Sequence, residues 1–146
     1  GYAAGPATII KAMKKIQSQS TSNPTSISQV AAQAALEGSQ ECIQEMLVHF
    51  KQRHDYIVER LNNMEGISCL PTDGTFYCFP NVQEAINRLD GVSTDVELAE
   101  HLIEHAGVAL VPGSAFGLSG HARISIATSQ ENLSTALDRL EQALGG

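Results

Sequence analysis

The 146 residues include no tryptophan and only 5% aromatics, so a core has to be assembled from aliphatic side chains. Basic residues are scarce as well: 9 Lys and Arg stand against 16 Asp and Glu, a formal charge of −7. That balance argues against nucleic acid or an anionic membrane as main partner, since both require a basic face. No apolar run approaches the roughly 18 residues that span a bilayer, and no secretory leader is visible at the start. Cysteine is limited to Cys42, Cys69 and Cys78, an odd number with no C-x-x-C pair. A disulfide framework and a zinc cluster are both disfavoured, and reduced thiols in a cytoplasmic protein are expected. What the chain does have is 42% hydrophobic residues and 17% charged ones, enough for one domain with a buried core.

The opening Gly1-Tyr2-Ala3-Ala4-Gly5-Pro6 lacks an initiator Met and reads as the exit from a strand. The chain is therefore expected to be a piece of something longer. Pro6 suits the first position of a helix, where a missing N–H costs nothing. Ile9, Ile10, Met13 and Ile16 then recur at helical spacing, and Gln17 to Pro24 is expected as a loop. A second helix carries Ile27, Val30, Ala31, Ala34 and Ala35. Gly38-Ser39 interrupts it, and Ser39 caps a continuation through Phe50, Ile57 and Leu61 to about Met64.

After Gly66 the pattern changes. Ile67–Leu70 and Thr75–Phe79 read as strands of a hairpin closed by Pro71-Thr72-Asp73-Gly74. A short helix is expected over 81–89. Thr94-Asp95-Val96-Glu97 is a capping box opening a helix that carries Val96, Ala99, Leu102, Ile103 and Ala106, with Leu102 and Ile103 on its buried face, and stops at Gly107. Val108–Val111 and Arg123–Ala127 read as strands, and a last helix begins near Ser129 and ends at Gly145-Gly146. The fold class is α+β, with long helices first and then a three- to four-stranded sheet covered by helices.

Few residues carry visible chemistry. His101-Leu102-Ile103-Glu104-His105 fits the H-x-x-E-H pattern of some zinc peptidases, but the flanking sequence supplies no third ligand, and a solvated helix face is the simpler reading. No metal site is expected. Cys69 and Cys78 lie among apolar residues and read as small hydrophobes. Gly113 to Gly117 lacks the Gly-Lys-Ser/Thr ending of a phosphate loop and reads as a tight turn after a strand. Arg123 opens Arg123-Ile124-Ser125-Ile126-Ala127, and its planar fork could hold a carboxylate by two parallel hydrogen bonds. Taken alone, it reads as a strand-end arginine in a surface ion pair.

Four segments in order change that weighing. Gly74-Thr75-Phe76-Tyr77-Cys78-Phe79-Pro80 resembles the G-x-F-Y-x-F-P hairpin of class I/II aminotransferases, the fold-type I enzymes dependent on pyridoxal phosphate. Val108 to Gly117 resembles their V-A-x-x-P-G-x-x-F-G segment, and Arg123 to Ala127 their R-I-S-[FYI]-A strand. Gly1-Tyr2 matches the end of their lysine signature, and Ser20 to Ser26 is most similar to the bacterial aspartate aminotransferase branch.

The resemblance implies that Arg123 grips the substrate α-carboxylate and, more weakly, that Asn23, in a loop near the dimer interface and active-site mouth, binds substrate. It implies packing roles for Phe76 and Tyr77. It divides the chain into the end of the cofactor domain (1–37), a connecting helix (38–64) and the small domain (65–146). The Schiff-base lysine and the other cofactor contacts would lie upstream of Gly1. Lys11, Lys14, Lys15 and Lys51 sit in no such motif, so no catalytic residue and no cofactor-binding residue is assigned in this chain. The implied activity is aspartate:2-oxoglutarate amino transfer in a cytoplasmic homodimer, acting on amino-acid and 2-oxo-acid substrates. This segment alone is expected to be inactive, and to be swapped or disordered at its N-terminal end. An aromatic- or alanine-type relative of the same fold, or a non-catalytic α+β binding module, would keep the same motifs.

Overall fold

The structure is a computed structural model that describes residues 2–145, so Gly1 and Gly146 lie outside the described residues. The chain divides into two compact units, Gly1–Cys42 and Ile43–Gly146.

The first unit holds helix α1 (Ala7–Ser20) and helix α2 (Ser26–Glu37), neither with a buried residue. Pro6 is the cap of α1, one position earlier than expected. The helix also runs past Ile16, so Gln17 to Ser20 are helical and the loop shrinks to 21–25. The serines accommodate this by donating back to the turn before them, Ser18 Oγ to the Lys15 carbonyl at 2.9 Å and Ser20 Oγ to that of Ile16 at 3.2 Å. Thr25 caps α2 by accepting from the Ser28 N–H.

Helix α3 (Glu41–Asn63) begins beyond the break at Gly38–Gln40, and the Ser39 hydroxyl accepts from its first N–H at 3.3 Å. In the second unit its last turns bury Ile57 and Leu61 completely. Strand β1 (Tyr77–Cys78), helix α4 (Gln83–Arg88), helix α5 (Asp95–Ala106), strand β2 (Val111–Pro112), strand β3 (Ala122–Ser125) and helix α6 (Gln130–Ala143) follow. The sheet has the order β1-β3-β2, antiparallel throughout, with Tyr77 opposite Ser125 and Val111 opposite Arg123.

The expected 67–79 hairpin does not form as such. Among the described residues the first arm has a single bridge, from Ser68 to Asn81 beyond the second arm, and β1 spends its ladder on β3. Proline at 71 has no N–H to donate, and the Thr72 N–H bonds instead to His54 Nε2 of α3 at 3.0 Å. The 108–111 strand shortens because the Val108 N–H is taken by the Leu102 carbonyl at the end of α5.

Helix α5 has the expected capping box and a left-handed Gly107 stop (φ +63°). Its inward face is Leu98, Ala99 and Leu102, whereas Val96 is 45% exposed and Ile103, expected on the buried face, is 54% exposed. Positions 98, 99 and 102 fall on one stripe of a 3.6-residue helix; 96 and 103 fall outside it. The core joins this stripe to Ile57, Leu61, Cys78, Ile86, Ile126 and Leu137.

Candidate functional site

Period-two alternation decides where Arg123 goes. Ala122 is buried and faces the core with Ile124, so Arg123 is delivered to the other side of β3, where it is half-buried. There its guanidinium carbon lies over the Tyr77 ring at 4.4 Å and over the Phe116 ring at 4.4 Å. Two aromatic rings within cation–π reach attract the guanidinium and hold it at this side of the strand.

The surface ion pair that Arg123 suggests in isolation is absent. Among the described residues the ion-paired cations are Lys51, His54, Arg60 and Arg88. Tyr77, expected to pack, packs against the guanidinium, while Phe76 meets the Tyr77 ring at 4.2 Å and stays 43% exposed.

Phe116 reaches Arg123 from a one-turn 3₁₀ helix, Gly113–Phe116, that directly follows β2. The tight turn expected there is present. A Cβ at position 113 would collide with the Leu118 carbonyl and the His121 side chain, so glycine is required by space. Gly117 closes the turn at φ +82°. Phe79 meets Phe116 edge-on at 6.1 Å and stacks on His121 at 5.3 Å, which ties the turn to the strand region.

Asp95 carries no expected role, yet at 3% exposure it is the buried charged side chain among the described residues. Its Oδ2 accepts the Ser114 N–H at 2.6 Å. Burial alone would raise its pKa, but the bonds from Ser114 and the Gly120 backbone overcome this and hold the carboxyl below its ordinary range. The sequence signal for Asp95 was masked, because an acidic residue in the first turn of a capped helix has an ordinary dipole explanation.

The other candidates lead elsewhere. Asn23 lies in the 21–25 loop of the first unit, whereas Arg123 belongs to the second. The His101 and His105 rings stack at 4.2 Å and His105 Nδ1 bonds to the His101 carbonyl, with no group of three or more ligating side chains among the described residues. The Cys78 thiol is pushed up by its hydrogen bond with Cys69 and by burial, so it stays protonated at neutral pH and serves as packing. Two hollows of about 410 and 640 Å³ flank the second unit, one beside α6 and the other between α3 and 71–76, and neither includes Arg123. Lysines are poorly placed for cofactor chemistry. Lys11, Lys14 and Lys15 are exposed on α1, and Lys51 is 76% exposed and paired with Asp55 at 2.7 Å.

The chain is similar to known proteins along nearly its whole length. The sequence pattern of aminotransferase class I and II matches residues 1–140. An aspartate/prephenate aminotransferase of Nitrosomonas europaea is 48% identical over 99% of this chain and 38% of its own length. The crystal structure of the aspartate aminotransferase from Rhizobium meliloti superposes with a TM-score of 0.87, at 43% identity, over 99% of this chain and 37% of that one. An aromatic aminotransferase from Pyrococcus horikoshii gives 0.82 at 35% identity, over 97% of this chain and 37% of its own. The chain thus spans well under half the length of the relatives it matches, and no helix among its described residues is long and apolar enough to cross a membrane.

Proposed function

The chain belongs to the class I and II aminotransferase family, and from that premise we propose that it supplies the substrate α-carboxylate grip of a longer amino-group transferase through Arg123. The observation that carries this is a half-buried guanidinium lying over the Tyr77 and Phe116 rings with no carboxylate partner among the described residues. A planar fork restrained by two ring contacts is pre-organised to meet two carboxylate oxygens. Holding the amino acid by that end orients its Cα–H bond, and orientation of this kind removes several kcal/mol from a barrier.

Aspartate and 2-oxoglutarate are the proposed substrates, because the two aspartate-acting relatives match at 48% and 43% identity. The aromatic relative, with 35% identity and the same fold, supports an aromatic substrate as the second reading. The domain assignment carries over as part of the proposal: 1–37 ends the cofactor domain, 38–64 connects, and 65–146 is the small domain of a homodimeric enzyme.

The family's cofactor, pyridoxal phosphate, supplies an electron sink for deprotonation at Cα when bound. The residues described here do not fit it, since the lysines are exposed or paired on helix surfaces. This segment by itself is therefore proposed to be inactive, and the grip is its contribution.

The test is Arg123→Lys in the full-length enzyme. Charge survives but the fork is lost, and with it one charged hydrogen bond worth about 1.5–3 kcal/mol. The kcat/KM for amino acid should fall about ten- to hundredfold. An unchanged value would remove Arg123 from substrate binding. Comparing aspartate with an aromatic amino acid in the same assay separates the two substrate readings.

A further inference from the structure

Asp95 is oddly used for a helix-start carboxylate. It follows the cap residue Thr94, yet its side chain leaves the helix end to take the Ser114 N–H at 2.6 Å. That amide lies near the start of the 113–120 turn. Two residues further on sits Phe116, 49% exposed, whose ring is one of the two lying over the Arg123 guanidinium.

The turn's internal bonds, Gly117 N–H to Ser114 at 3.0 Å and Leu118 N–H to Gly113 at 3.1 Å, fix its shape. Its attachment to the body of the unit comes from the Gly113 N–H to the His121 carbonyl at 2.8 Å, from the Val82 N–H to the Gly120 carbonyl at 2.8 Å, from the Phe79 contact, and from Asp95. Asp95 is the charged member of that set, and charge-assisted bonds from amides to a buried carboxylate are roughly twice as strong as neutral ones.

We propose that Asp95 is a positioning residue for the carboxylate grip: by fastening the 113–120 turn to the start of α5, it keeps the Phe116 ring against Arg123 and so restrains the guanidinium fork. This rests on the reading of Arg123 given above and names a residue through which that site is built.

The experiment uses the full-length holoenzyme with 2-oxoglutarate as the probe, its dissociation constant measured by calorimetry. Asp95→Ala should weaken binding about five- to twentyfold, and Asp95→Asn, which retains one oxygen acceptor, should weaken it less. The decisive arm is a double-mutant cycle. If Asp95 acts through the fork, adding Asp95→Ala to Arg123→Lys should weaken binding no more than about twofold beyond Arg123→Lys alone. Fully additive losses, or an unchanged constant in Asp95→Ala, overturn the inference while leaving the Arg123 reading intact. An unchanged constant in Arg123→Lys overturns both. Should Asp95→Ala fail to fold, Phe116→Leu enters the same cycle, and an additive loss there contradicts the inference equally.

Discussion

The two units of this chain are both rich in apolar residues, and they use them in opposite ways. In the first, Ile9, Met13, Ile16, Ile27 and Val30 are 51–82% exposed, and α1 and α2 bury nothing. In the second, Ile57, Leu61, Ile86, Leu98, Leu102, Ile126 and Leu137 are all at or below 1% exposure. Apolar content and helical period are therefore insufficient to make a core; a second surface must close over the stripe. Helices of 14 and 12 residues without tertiary burial are marginal in water, so stability in this chain resides in the second unit. The site follows the same division, since Arg123, Tyr77, Phe116 and Asp95 all stand on elements anchored in that core.

The contrast breaks most visibly under truncation. Leu102→Ala should cost about 2–5 kcal/mol of unfolding free energy through lost burial and a residual cavity, while Ile27→Ala should change it by less than about 0.5 kcal/mol. Denaturant unfolding of the chain checks both. Equal costs would mean that the first unit is packed as tightly as the second.

Asp95→Asn is next. With its pKa held below the ordinary value near 3.9, Asp95 adds stability that is complete above about pH 5 and is lost as pH falls through the folded-state pKa. The variant should be less stable at neutral pH by about 1–3 kcal/mol, and the two proteins should converge in acid. Parallel curves of stability against pH would contradict the assignment.

Arg60 sharpens the picture at the α3–α6 seam, donating to Tyr56 Oη at 2.8 Å, Asp138 at 2.8 Å and Glu141 at 3.0 Å. Its carboxylate partners are about half exposed. Arg60→Ala should therefore cost only about 1 kcal/mol, and less at high salt.

The smallest effect is expected at Thr75, a β-branched residue at φ +70°. Thr75→Gly should leave stability unchanged or raise it by up to about 1 kcal/mol, as relief of the left-handed backbone offsets glycine's entropy. A clear loss would show that the Thr75 side chain holds the 71–76 segment.

Much of this was readable beforehand, and the failures have physical causes. The capping box at Thr94–Glu97, the Gly107 stop and the helix start near Ser129 are local chemistry and appear as expected. Strand lengths were overestimated because β-propensity says nothing about which neighbour takes the hydrogen bonds: Val108 gives its N–H to α5, and Thr72 gives its own to His54. Within the site, Arg123 was legible from ordered motifs. Its ring contacts and Asp95 were not, since they depend on how turn, helix and strand come together in the folded unit.

The most direct measurement is a structure of the full-length enzyme with a 2-oxo acid or amino acid bound. Both oxygens of the ligand's α-carboxylate should lie about 2.7–3.2 Å from Arg123 nitrogens, with the Tyr77 and Phe116 rings still on the guanidinium. A carboxylate bound elsewhere, with Arg123 paired to an acidic side chain of the protein, would contradict the account.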